Sequence, residues 1–272
     1  PAPPPWGFQH SADFEEKKQS IYTMEQRFIE AKIELNWKNI VALDIGGAGG
    51  LHSGLLSNRV KRIYCADVVD CSTQYNGEFL RLLKEKFNRN GSELAINKLE
   101  FNTTSATDLI YRDNYFDLIV SFNAFEHIPD PELSIREAAR VLKPKGYIYI
   151  SFDPIWTADT GSHFYHLIPY PWQHLLSSDL EYASLMRNNG ASDLEIQDFL
   201  YGINRVRLPN YNYIFDNLAR MLGLLTCFRI SWSGLLHESH LSHQNFNNCI
   251  LSGFTKEELL IRGMSYIFQK VE

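Results

Sequence analysis

V-A-L-D-I-G-G-A-G-G, residues Val41 to Gly50, decides how this chain is read. A short apolar run ends in an acid and breaks into glycines, which lets the backbone turn sharply and approach a ligand without interference from a Cβ. The helix expected from Leu51 then points its free N–H groups into the same space. Working outward, Arg62 to Asp67 (R-I-Y-C-A-D) is a second strand ending in an acid, placed to accept hydrogen bonds from a ribose diol. Leu99 to Asn102 is a weak third strand, Phe116 to Phe122 a strong fourth and Tyr147 to Phe152 a fifth, with helices expected over Gly77–Asn88 and Pro131–Leu142. β-Branched and aromatic strands separated by helices describe an α/β fold, a mainly parallel sheet covered on both faces. Ligands bind such sheets at the carboxyl ends of the strands, where the strand order reverses.

The flanks complete the plan. Residues 1–12, opening P-A-P-P-P-W, read as a Pro-rich tail, and a helix with an Ile21, Met24, Phe28 stripe follows from an N-cap at Asp13. Residues 13–152 form the cofactor-binding core with that helix. Residues 153–207, rich in aromatics and His, break the rhythm and read as an inserted cap with one helix over Pro171–Asn188. Residues 208–272 return to the core with a helix from about Asn210 to Leu222, a strand near Leu225–Trp232, an irregular His/Asn-rich segment, a helix over Thr255–Ile261 and a strand from Met264 to Val271. The count of strands is seven.

Composition narrows the classes. The 272 residues carry 26 Lys+Arg against 32 Asp+Glu, a net charge of -6 that argues against nucleic-acid binding. The four cysteines show no metal or disulfide spacing and read as reduced thiols of a cytoplasmic protein, and no apolar run is long enough to span a membrane. A start at Pro1 rather than Met is compatible with a removed leader or a domain cut from a longer chain.

A turn of this kind and Asp67 together specify a nucleoside-containing ligand. A dinucleotide fingerprint starting at Gly47 would need a glycine where His52 stands, which counts against a nicotinamide-dependent oxidoreductase. Asp44, Gly46, Ala48 and Gly50 instead fit D-x-G-x-G-x-G, with Ala48 in place of the middle glycine, and in this the segment resembles class I S-adenosylmethionine-dependent methyltransferases. Tyr111 to Pro131 (Y-R-D-N-Y-F-D-L-I-V-S-F-N-A-F-E-H-I-P-D-P) and Glu137 to Ile150 (E-A-A-R-V-L-K-P-K-G-Y-I-Y-I) are similar to the fourth-strand and fifth-strand regions of the type-11 branch, with Lys145 where the branch usually has Gly. Lys256 to Lys270 resembles the last helix and strand.

The resemblance implies a Rossmann-like seven-stranded methyltransferase sheet with S-adenosylmethionine as cofactor. Asp44 and Gly46, Gly47, Ala48 and Gly50 would hold its methionine end. Asp67 would take the ribose hydroxyls, Val68 the adenine face, Ser105 and Ala106 the adenine edge (Ser105 standing where the family often has Asp), and Asn123 the space below the sulfonium.

Transfer to a hydroxyl acceptor also needs a group to remove one proton, and His is the usual candidate. His127 follows Glu126 in the loop after the fourth strand. In the cap, G-S-H-F-Y-H-L-I-P-Y-P-W-Q-H (Gly161 to His174) offers His163 and His166, while Phe164, Tyr165, Tyr170 and Trp172 either face a sugar or other ring or pack as the cap's own core. A divalent metal on Asn123, Glu126 and His127 is the alternative that the family's E-x-x-E-H pattern suggests, weakened by Asn at its first position. The His237, His240, His243 run has helical spacing and reads as polar surface or loop. The expected function is methyl transfer to a small molecule, most simply a hydroxyl of a sugar or natural-product scaffold. C- or N-methylation and a non-catalytic cofactor-binding module are the alternatives.

Overall fold

The structure, a computed structural model, describes residues 12–71 and 77–271. The Pro-rich residues 1–11 lie outside that range. Seven strands form one sheet in the order β3-β2-β1-β4-β5-β7-β6, with β1 Val41–Ile45, β2 Arg62–Asp67, β3 Leu99–Thr103, β4 Phe116–Phe122, β5 Leu142–Phe152, β6 Leu224–Ser233 and β7 Ile261–Lys270. β1 to β5 run parallel; β7 pairs antiparallel with both β5 and β6. The order reverses between β1 and β4, so the carboxyl ends of those two strands flank the crevice where such sheets bind ligands.

Alternation along the strands supplies two cores. Ala42, Leu118, Val120, Tyr149 and Ile267 face α1 (Ala12–Glu30), whose Ile21, Met24 and Phe28 fill that side. Leu43, Ile119, Ile148, Ile150 and Phe268 face the other way, against Ile135 and Ala138 of α4 (Pro131–Val141) and Tyr211, Phe215 and Leu218 of a helical run over 208–221. Ile119 is fully buried between neighbours, so Ile119→Ala would cost about 2–5 kcal/mol. The expected seven-stranded α/β sheet, covered on both faces, is the fold observed.

Several local readings need correction. α1 already begins at Ala12, so Asp13 lies in its first turn, where its carboxylate binds the buried Lys86 of α3 (Phe79–Arg89) at 2.6 Å. The single helix expected over Pro171–Asn188 is two, Gln173–Leu176 and Asp179–Asn188, because Ser178 caps the second: its hydroxyl accepts from the Glu181 N–H while Glu181 reaches back to the Ser178 N–H. The segment read as irregular holds a 3-10 turn, Glu238–Ser242, and a helix, Gln244–Leu251. Nor is its His run merely polar surface. His240 is buried, donates from Nδ1 to Asp159 at 2.7 Å, and meets the Tyr165 hydroxyl at 3.0 Å, tying residues 234–260 to the cap. No helix among the described residues is long and apolar enough to cross a membrane.

Candidate active site

The glycine turn leaves β1 at Ile45 and enters α2 (Leu51–Ser57) at Gly50, which takes φ 73°. Gly46 has φ 71°, and a Cβ there would stand 2.4 Å from Ala124 Cβ, so the loop after β4 closes directly on the turn. Ala48 takes a left-handed φ of 43° without being glycine; its N–H donates to Asp67 Oδ2 at 2.9 Å, which helps hold it there. The Val69 N–H donates to Asp67 Oδ1 at 2.9 Å. Both carboxylate oxygens of Asp67 are thereby aimed at the end of β2, each with a lone pair left for a further donor.

A cavity of about 370 Å³ opens over the carboxyl ends of β2, β1 and β4. Its wall includes Gly46, Ala48, Asp67, Val68, Ser105, Ala106, Asn123 and His127. Ser105 occupies a tight turn, its hydroxyl bonded to the Thr107 hydroxyl at 2.7 Å and accepting from the Thr107 N–H at 3.2 Å. Asn123 has a left-handed φ of 47° and donates its N–H to Ser151 O, which leaves its side chain exposed at the junction of this cavity with a second one. The remaining candidates lie outside the wall. Gly47 and Gly50 pack inward, where a Cβ would meet Cys65 Sγ at 2.5 Å and the Phe101 ring at 2.6 Å.

Asp44 is beneath the turn, 1% exposed, and accepts from the Ser53 hydroxyl at 2.6 Å. Burial, reinforced by the nearby Asp67 and opposed by the Ser53 bond, pushes its carboxyl up to about 7. An acid so placed holds its proton more readily than a free carboxyl, and a cation arriving above it would favour its charged form. An acceptor-rich far end at Asp67, apolar walls at Val68, Ala106 and Ile128, and a buried acid below the turn suit a nucleoside ligand with a cationic head.

Of the three His candidates, the fold brings two together. His127 and His163 have ring centroids 5.0 Å apart. His127 Nδ1 lies 2.7 Å from Gly202 O; a carbonyl only accepts, so Nδ1 carries the proton and, in the neutral ring, Nε2 bears the lone pair. His163 takes φ 65° and binds Pro154 O at 3.3 Å; burial, with His127 adding to it, lowers its pKa to about 4 and keeps it neutral. His166 stands apart, exposed, 3.6 Å from Glu195.

Glu126 is 1% exposed with Oε2 unpartnered, and burial drives its carboxyl well above the usual range. That places a carboxyl favouring its neutral form in the middle of the alternative metal set of Asn123, Glu126 and His127. Among the described residues no three His, Cys, Asp or Glu side chains are grouped to hold a metal.

The supports of His127 were not foreseen. Asn204 donates its side-chain amide to Phe125 O at 2.6 Å and Ile128 O at 2.8 Å and its own N–H to Glu126 O, while the Tyr211 hydroxyl donates to Phe125 O at 3.0 Å. Gly202 ends a π-helical turn, Asp198–Gly202, and that irregular end leaves its carbonyl for His127. The sequence signal was slight: a lone Asn and Gly far along the chain.

The cap's aromatics mostly serve its own core. Phe164 is 5% exposed among Trp156, Tyr182 and Phe199, and Trp172 is fully buried against Cys249 and Leu259. Tyr170 is exposed, and Tyr165 lines a shallow cleft with His163 and Arg262.

With this geometry in view, a family profile described as a methyltransferase domain matches residues 43–150. The chain is 28% identical over 156 residues to a glycine/sarcosine/dimethylglycine N-methyltransferase of Actinopolyspora halophila, covering 55% of this chain and 26% of that protein. It is 26% identical over 125 residues to a ubiquinone biosynthesis O-methyltransferase of Xanthomonas oryzae pv. oryzae, covering 46% of each. The chain thus spans about a quarter to a half of these relatives' lengths. Its fold is similar to the crystal structure of a candidate sarcosine dimethylglycine methyltransferase from Galdieria sulphuraria, with a TM-score of 0.51 at 18% identity over 95% of this chain and 85% of that one. Residues 43–150 thus match a methyltransferase domain, and the strand order and the glycine turn accord with that match.

Proposed function

We propose that the protein transfers a methyl group from S-adenosylmethionine to a hydroxyl of a small molecule, with His127 as the group that takes the hydroxyl proton. The observation that carries this reading is the Nδ1–H to Gly202 O bond, which leaves His127 Nε2 as a base on the wall of the cofactor cavity. The relatives' names include N- and O-methyltransferases, so the choice of oxygen rests on that imidazole and not on likeness.

When bound, S-adenosylmethionine supplies an electrophilic methyl group on a good leaving group. The chain's own work is then to position and to accept a proton. Asp67, Val68, Ser105 and Ala106 take the nucleoside; Gly46 and Ala48 take the amino-acid end, above the buried Asp44; Asn123 orients the ligands where the two cavities meet. His127 Nε2 accepts the hydroxyl proton, and the imidazolium formed keeps its Nδ1–H bond to Gly202, now charge-assisted. His163, held neutral beside it, adds no repulsive charge. Four unpaired cysteines accord with a cytoplasmic setting.

His127→Gln is the test. It is expected to lower kcat about 10²–10⁴-fold while leaving the S-adenosylmethionine Kd within about twofold. Equal loss of binding and turnover would make His127 a wall of the cavity instead of a base.

A further inference from the structure

We infer that the methyl acceptor binds in the second cavity, between α1 and the sheet, and that it is a polyhydroxylated ring such as a glycoside. This rests on the proposed function and names where its acceptor sits and of what class. The chamber holds about 430 Å³, within the range of small-molecule sites, and shares Asn123 with the cofactor cavity. A ligand at its Asn123 end therefore adjoins both the cofactor and the loop that carries His127.

The lining supplies the chemistry of sugar recognition. Trp232 of β6 is half-buried, and its indole Nε1 donates to Asp153 Oδ2 at 3.3 Å, which fixes the ring plane. Gly263 of β7 leaves the room for it: a Cβ there would stand 2.4 Å from Trp232 Cζ2. An indole face so held offers an apolar plane to the C–H face of a ring. Around it, Asp153 has acceptor lone pairs for sugar hydroxyls and the Ser151 hydroxyl donates and accepts, backed by the buried Tyr149 and Ser265. The charged residues of the wall, Glu16 and Asp153 against Arg27, are of mixed sign and favour a neutral, hydrogen-bonding ligand over an ion. The cap, by contrast, buries Phe164 and Trp172 in its own packing.

The test is ligand-observed saturation-transfer NMR on the full chain saturated with S-adenosylhomocysteine, using methyl glycosides of glucose, galactose, mannose and rhamnose as probes. The expected result is saturation of the ring C–H protons of at least one glycoside. Trp232→Ala should weaken its Kd at least tenfold, Trp232→Phe should retain most of it, and Asp153→Asn should weaken it without loss of S-adenosylhomocysteine binding. No glycoside binding while S-adenosylhomocysteine binds normally would overturn this inference and leave the proposed function standing. Binding that survives Trp232→Ala and Asp153→Asn but is lost in Tyr165→Phe would put the acceptor in the cap and overturn it too. Failure of S-adenosylhomocysteine to bind would remove both.

Discussion

Asp44 shows how a single residue sets up a site it does not line. An aspartate in the unfolded chain titrates near 3.8, whereas burial in the fold pushes Asp44 up to about 7. Between those values the folded protein keeps a proton that the unfolded chain has released. Its contribution is therefore present at low pH and is lost as pH rises from about 4 to about 7. Asp44→Asn keeps the size and the Ser53 contact but cannot titrate. Urea unfolding of both proteins at pH 5 and pH 6 should show the wild type losing about 1.4 kcal/mol per pH unit relative to Asp44→Asn. Parallel curves would mean that the buried acid stays charged in the fold. His127 is the complementary case at this scale: its position on the cavity wall matters, but the carbonyl on Nδ1 decides which nitrogen can act.

At the scale of elements, the loop 123–130 is held by residues far away in the chain. Asn204 spans two of its carbonyls, and a carboxylate in that place would face them with like partial charges and no donor. Asn204→Asp should therefore destabilise the protein by about 2–4 kcal/mol by denaturant titration, with a fall in turnover that Asn204→Gln partly restores. An unchanged midpoint would show that the loop does not depend on this clamp.

The same contrast explains what was legible in the sequence. β1, β2 and β4 declared themselves because each is a short apolar run ended by an acid, a glycine or a polar turn, and the signal is local. The N-cap at Ser178 was local too, but a continuous helix over-read the apolar spacing around it. Gly202, Asn204 and Tyr211 reach the His127 loop from 75 to 86 residues away, and no local pattern carries that information. His240 was misread for the same reason, since its partner Asp159 is 81 residues distant. Trp232 looked like an ordinary strand aromatic until the fold set it beside Asp153.

For the whole molecule, the reversal of strand order between β1 and β4 gathers every group of the account at one edge of the sheet. The glycine turn and Asp67 stand on one side, Asn123 and the His127 loop on the other, and α1 roofs the neighbouring chamber. The central claim is that this edge binds S-adenosylmethionine, and calorimetric titration of the full chain measures it most directly, with NADH as the comparison. The expected result is one S-adenosylmethionine per chain at micromolar Kd, no heat from NADH, and binding abolished by Asp67→Ala. No S-adenosylmethionine binding, or binding unaffected by Asp67→Ala, would contradict it.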